Sequence, residues 1–216
     1  NLQIFLSTGG LKNLPSVSIK YLIKNGITDI EISGGIYEKN LKKKILNYKD
    51  KINLNIHNYI PFFKKPFVFN LSSKDKKISF NSIEMAKKSI ILASHLGTKY
   101  YACHAGFLFD PKINMLGDKP VPEKVLDRKI AMRQFLKNIK ILSSFAKKKN
   151  IKLLIENNVV SKNQYTKYNY VPLMADIKET EYVMKKVGSN VGVLLDFGHL
   201  NVSAKTLSFS KNNYIK

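Results

Sequence analysis

The chain has 216 residues, is 44% hydrophobic, and sets 37 Lys and Arg against 15 Asp and Glu for a formal charge of +22. That length can bury a sizeable core as one large α/β domain or two small ones, and no apolar run approaches the roughly 20 residues that cross a bilayer. The charge alone would suggest a nucleic-acid partner. However, Arg128 and Arg133 are the only arginines, and phosphate recognition favours the guanidinium fork. Lys, Asn and Ile are abundant throughout, which reads as compositional bias. Runs such as Lys42 to Lys44 and Lys147 to Lys149 are therefore assigned to solvated faces and helix C-terminal turns.

In chain order, "NLQIFLSTGG" lacks an initiating Met, a basic leader and a cleavage pattern, so residues 2 to 7 are expected to be a strand that Gly9 and Gly10 end. Residues 16 to 26 predict a helix with Val17, Tyr21 and Ile23 or Lys24 along one side and Gly26 as its stop. "ITDIEIS" (27 to 33) alternates as a strand and ends at Gly34 and Gly35. A weakly patterned helix is expected over 38 to 48, and "INLNIHN" (52 to 58) is a third strand. Asn81 and Glu84 have capping-box spacing ahead of a helix over 82 to 96, with Ile83, Ala86, Ile90 and Ala93 on its buried face. His95 lies in that helix as an ordinary structural residue.

Residues 99 to 105 form a fourth strand. Within it Cys103, the only cysteine, reads as a small buried hydrophobe. With no partner for a disulfide, the reducing cytoplasm is the expected compartment. A long helix over 124 to 149 places Ala131, Phe135, Ile139, Leu142 and Phe145 on one stripe. "IKLLIEN" (151 to 157) is a fifth strand. Asp176 and Glu179 cap a further helix ending at Gly188, and "NVGVLLD" is a sixth strand. The alternation implies a parallel sheet with crossover helices, either an open doubly wound sheet or a closed barrel. No G-x-G-x-x-G follows the first strand, so the dinucleotide fingerprint is absent.

If the strands are parallel, their C-terminal ends share one face, where the sites of such folds form. Strand three ends in His57, strand four in His104, strand five in Glu156, and strand six in Asp196 with His199 just beyond. Any one strand-end histidine is more often structural than a ligand. A carboxylate after "KLLI", however, needs a cation or dense hydrogen bonding to offset its desolvation. Together the five offer oxygen and nitrogen donors suited to a divalent ion, with too little thiolate for a structural zinc finger.

The segments "IHNY", "HAGF", "LLIENN" and "LLDFGHL", in that order at successive strand ends, resemble the xylose isomerase-like barrel family across essentially the whole chain. "IEISGG" and "HNYIPFFKKPFVFNLSS" are similar to members described as sugar phosphate isomerases or epimerases. The resemblance implies a single α/β domain, a (β/α)8 TIM barrel truncated after about six β/α units, with strands seven and eight missing from the chain.

In the isomerase and epimerase branch it implies a divalent ion (Mn, Mg, Co or Zn) held by Glu156, Asp196 and, in one reading, His199. It also implies proton transfer beside the carbonyl of a sugar or sugar phosphate through an enediolate. Glu156 would be ligand and acid/base. His57, His104, His199 and Asn157 would bind substrate, and Asn58 could donate a hydrogen bond. Glu31, at the second strand end, is a weaker candidate that could equally be an ion pair. The endonuclease IV type of abasic-site nuclease is the alternative, with all five strand-end residues on a zinc cluster. The long segment after His57, with Pro61 and Pro66, and the scarcity of arginine weigh against it. A metal-free scaffold is the third class.

Overall fold

The computed structural model describes residues 4–34, 36–58, 60, 63–65, 67–113, 125–168 and 170–215. Residues 2 and 3 of the expected first strand, Gly35, Pro61, Pro66 and residue 124 lie outside the described residues. In chain order the elements are β1 (Leu6–Ser7), a 3-10 turn (Thr8–Leu11), α1 (Pro15–Lys24), β2 (Asp29–Ile32), α2 (Leu41–Leu46), β3 (Asn53–His57), α3 (Lys76–Leu96) and β4 (Tyr100–His104). They continue with α4 (Arg128–Lys147), β5 (Lys152–Glu156), α5 (Lys162–Tyr168), α6 (Ile177–Lys186), β6 (Val191–Leu194), α7 (Phe197–Leu207) and α8 (Lys211–Ile215). No helix among the described residues is long and apolar enough to cross a membrane.

All six strands pair in parallel, and their order across the sheet is their order along the chain. A doubly wound sheet reverses its strand order at a switch point. A sheet that always steps the same way is wound as a barrel. The open-sheet alternative therefore falls, and the fold is α/β with six consecutive units of a TIM-type barrel.

Side chains alternate between the two faces of a strand. Ile30, Ile32, Leu54, Ile56, Tyr101, Cys103, Leu153 and Ile155 go into the apolar core against the helices. The intervening positions, among them Glu31, His57, His104 and Glu156, take the opposite, barrel-interior face. Ala86, Ile90 and Ala93 of α3 are fully buried, as are Ala131, Phe135, Ile139 and Leu142 of α4, so both expected stripes face the core. Ile83 and Phe145 pack at its margin.

Several element boundaries and one face differ from expectation. The first strand is only Leu6–Ser7, and Ile4 and Leu6 are exposed, because β1 lies at the end of the sheet with a partner on one side only. In α1 the buried side is Ser16, Ser18, Ile19 and Leu22, while Val17 and Tyr21 face solvent. A tertiary contact selects that side: the buried Glu38 carboxylate accepts from the Ser16 backbone N–H at 3.0 Å and from its hydroxyl, and pairs with Lys44 at 2.7 Å. Glu38 thereby does the work of the missing side-chain cap at this helix start.

Helix α3 begins at Lys76, not at 82. Asp75 Oδ1 caps it by accepting from Lys77 N at 2.8 Å and Ile78 N at 2.9 Å, and Glu84 instead pairs with Lys87 at 2.9 Å. Helix α4 begins after Asp127, whose Oδ1 accepts from Ile130 N at 3.0 Å. Asp176 caps α6 as expected, accepting from Glu179 N at 2.9 Å. Glu179 does not reach back in a capping box; its carboxylate holds Arg128 and accepts from Met174 N at 2.9 Å. Strand six stops at Leu194, so Asp196 is the N-cap of α7 rather than a strand residue.

Candidate metal centre

Parallel register brings the chemistry together. His104 pairs with Glu156 across β4 and β5, and His57 with Ala102 across β3 and β4. Paired residues of neighbouring strands point to the same face, so His57, His104 and Glu156 converge at the C-terminal end of the sheet. Glu156 is the hub, only 3% exposed. Its Oε2 lies 2.8 Å from His57 Nε2 and 2.8 Å from His104 Nδ1. Its Oε1 faces His199 Nδ1 at 3.9 Å, and His199 Nε2 stands 3.9 Å from Asp196 Oδ2. The three imidazoles flank one another, with centroids 5.7 Å apart for His57 and His104 and 5.8 Å apart for His104 and His199.

Three backbone devices hold these groups. Asn58, at a left-handed φ of 55°, extends the ladder by donating its N–H to Ala102 O at 2.8 Å, and its Oδ1 accepts from His104 N at 2.9 Å. Asn157 is 1% exposed, and its amide clasps Asp196: Oδ1 accepts from Asp196 N at 2.7 Å, and Nδ2 donates to Asp196 O at 3.1 Å. Asp196 Oδ1 in turn accepts from His199 N at 2.8 Å, which leaves Oδ2 as its free donor atom. His199 Nδ1 is 2.8 Å from Asn157 O, so the first turn of α7 is fastened to the end of β5.

The electrostatics follow from the packing. Burial works against ionisation of Glu156, but hydrogen bonds and charge from His104 and His57 outweigh it and hold its carboxyl well below the usual range. Burial works against protonation of His57, yet Glu156 and Glu31 outweigh it and raise its pKa to about 9. Burial, with the Glu156 charge, pushes the Cys103 thiol up to about 12, consistent with an inert core residue.

Two overlapping groups, His57–His104–Glu156 and Glu156–Asp196–His199, each have donor atoms within 4.8 Å of one another and could hold a metal ion. The donor set fits one. His104 Nδ1 and His57 Nε2 each lie 2.8 Å from the buried Glu156 Oε2, so two imidazole nitrogens and a carboxylate oxygen meet at one point, a donor set that divalent ions such as zinc take. His95 is exposed on α3 and takes no part.

Two further residues that shape the site were not singled out from the sequence. Asn158 Nδ2 faces the carbonyls of Ala105, Gly106 and Leu173 at 3.2, 3.4 and 2.9 Å. Gly106 admits Ser72 and Asn70 so closely that a Cβ there would lie 2.1 Å from Ser72 Oγ. The glycine in "HAGF" was the available signal. Asn158, beside Asn157, carried none.

A six-stranded stretch of parallel barrel with imidazoles and carboxylates at the C-terminal strand ends defines the class as a β/α-barrel protein with a site of metal-ligand composition. The chain matches the family described as "Xylose isomerase-like TIM barrel" over residues 19–214, and it belongs to that family. Solved structures share the fold. A D-tagatose 3-epimerase-like protein superposes with a TM-score of 0.72 at 16% identity, covering 99% of this chain and 70% of its own. An L-ribulose 3-epimerase gives 0.64 at 15% identity, covering 92% and 62%. The 3-keto-D-glucoside 4-epimerase YcjR from E. coli gives 0.63 at 10%, covering 96% and 73%. This chain thus spans about 60–75% of the length of these structures. No curated protein matches it in sequence.

Proposed function

We propose that this protein is a metal-dependent isomerase or epimerase of a small sugar or sugar phosphate. The observation that carries the reading is the Glu156 carboxylate, buried at the mouth of the barrel with imidazoles from three different elements around it and Asp196 alongside. The epimerases named above have the same fold, which supports the substrate class. When bound, a divalent ion supplies Lewis acidity toward a carbonyl oxygen.

Within this chain Glu156, Asp196 through Oδ2, and His199 are the residues that would hold the ion. His57, His104 and His199 would bind the sugar's hydroxyls or the ion. Glu156 Oε2, within hydrogen-bond distance of His57 Nε2, would hold a proton taken from the carbon beside the carbonyl. Asn157 acts through Asp196, by fixing its backbone. Residues 1–216 act as one barrel domain, and its compartment is the cytoplasm.

The test is metal content and solvent-proton exchange into a panel of ketoses. Glu156→Gln and Asp196→Asn should each lose metal, and excess metal should restore exchange to Asp196→Asn but not to Glu156→Gln. Unchanged metal content in both variants would remove the reading. A second reading, hydrolysis of abasic-site DNA, is favoured by the completeness of the His57–His104–Glu156 group alongside the other. Incision of an abasic duplex without ketose exchange would select it.

A further inference from the structure

We infer that Glu31 is a positioning residue for His57, setting which ring nitrogen the imidazole presents to the metal centre; the inference rests on the proposed metal-binding role of the site. Glu31 is on β2, on the same barrel-interior face as His57, and its Oε1 lies 3.3 Å from His57 Nδ1. The other nitrogen, Nε2, is 2.8 Å from Glu156 Oε2. The ring is therefore held from both ends, by one carboxylate at the rim and one at the hub.

The surroundings argue against an incidental surface pair. The chain carries 37 lysines and arginines, yet among the described residues the only ion-pair partner of Glu31 is this histidine. The imidazole it meets is largely buried, with its side chain 12% exposed. Once an ion takes the place of the Nε2–Glu156 contact, a carboxylate that accepts from Nδ1–H fixes the rotation and tautomer of the ring and turns the Nε2 lone pair toward the metal. Glu31 would act through the ring of His57 rather than as a ligand itself. The neighbouring strand supplies it at no cost in loop order, because β2 and β3 are already paired with Glu31 level with Asn55, two residues before His57.

Zinc affinity of the full chain, measured by competition with a chromogenic chelator, tests this on wild type, Glu31→Ala, Glu31→Gln and Glu156→Gln. Glu31→Ala should bind about 10–100-fold more weakly, the loss typical of removing such a partner. Glu31→Gln, whose amide oxygen can still accept from Nδ1–H, should keep most of the affinity, and this rescue separates positioning from charge alone. Long-range proton–nitrogen NMR of the zinc-loaded wild type should find His57 protonated at Nδ1 and bare at Nε2, a result that does not depend on a variant folding. Wild-type affinity in Glu31→Ala, or a zinc form protonated at Nε2, would overturn the inference. If Glu156→Gln loses zinc while Glu31→Ala keeps it, only this inference fails; if the wild type takes up no zinc, the functional reading fails with it.

Discussion

Replacing Gly106 with alanine should destabilise the protein severely, because the methyl has nowhere to go. A Cβ at residue 106 would lie 2.1 Å from Ser72 Oγ, 2.7 Å from Ser72 Cβ and 2.9 Å from Asn70 Oδ1, against about 3.5–4.0 Å for ordinary carbon contacts. Neither neighbour can yield easily, since Asn70 and Ser72 are both fully buried. Ser72 Oγ lies 2.7 Å from both Asn70 Oδ1 and Phe107 O, and Asn70 Oδ1 also accepts from the backbone N–H of Ser72 and Phe107 at 3.1 and 3.0 Å. Overpacking costs about 1–3 kcal/mol. Turning Ser72 away leaves a buried polar group unsatisfied at about 1–3 kcal/mol more.

The expected loss is therefore about 2–6 kcal/mol, a large share of the ~5–15 kcal/mol by which domains are stable. Urea unfolding followed by circular dichroism reads it directly. Ser72→Gly removes the two closest clashing atoms, so Gly106→Ala should be milder in that background, with a coupling of at least about 1 kcal/mol. A Gly106→Ala protein within about 0.5 kcal/mol of wild type, or strict additivity with Ser72→Gly, would refute the reasoning.

Two other outcomes follow from the same packing. Glu38→Gln should cost about 1.5–3 kcal/mol at neutral pH, the usual worth of hydrogen bonds to a charged group. Although burial alone would raise its pKa, bonds from Lys44 and Ser16 outweigh that and lower the folded value. Its contribution is therefore complete above the unfolded carboxyl range and fades as pH falls through the lower folded value. Unfolding free energies measured from about pH 6 down should fall less steeply in Glu38→Gln than in wild type. Cys103, fully buried with its thiol pKa raised to about 12, should react with a thiol-specific disulfide reagent only after denaturant is added. Rapid labelling of the native protein would contradict the core assignment.

Much of the site was legible because parallel strands deliver their ends to one face. With "INLNIHN", "KYYACHA" and "IKLLIEN" as parallel strands, His57, His104 and Glu156 have to be neighbours, and the register joins His104 to Glu156. The Asp196–His199 spacing also implied proximity, although its cause is a helix cap rather than a strand end: the Asp196 carboxylate accepts from the backbone of His199. The roles of Glu31, Asn157 and Gly106 were not legible in the same way. Each depends on a contact with a residue 26 to 39 positions away along the chain, and a local pattern contains no trace of its partner.

Taken alone, the sequence determined the alternation of strands and helices, the apolar faces of α3 and α4, and the donors that gather at the strand ends. These follow from periodicity and residue chemistry, which are local properties. The family resemblance carried by the strand-end motifs also implied the barrel, whereas tertiary structure alone decided that Asp75 rather than Asn81 starts α3 and that α1 buries Ile19 and Leu22 rather than Val17 and Tyr21. Each of those choices lay between local options of similar merit, and distant contacts such as Glu38 to Ser16 tipped the balance.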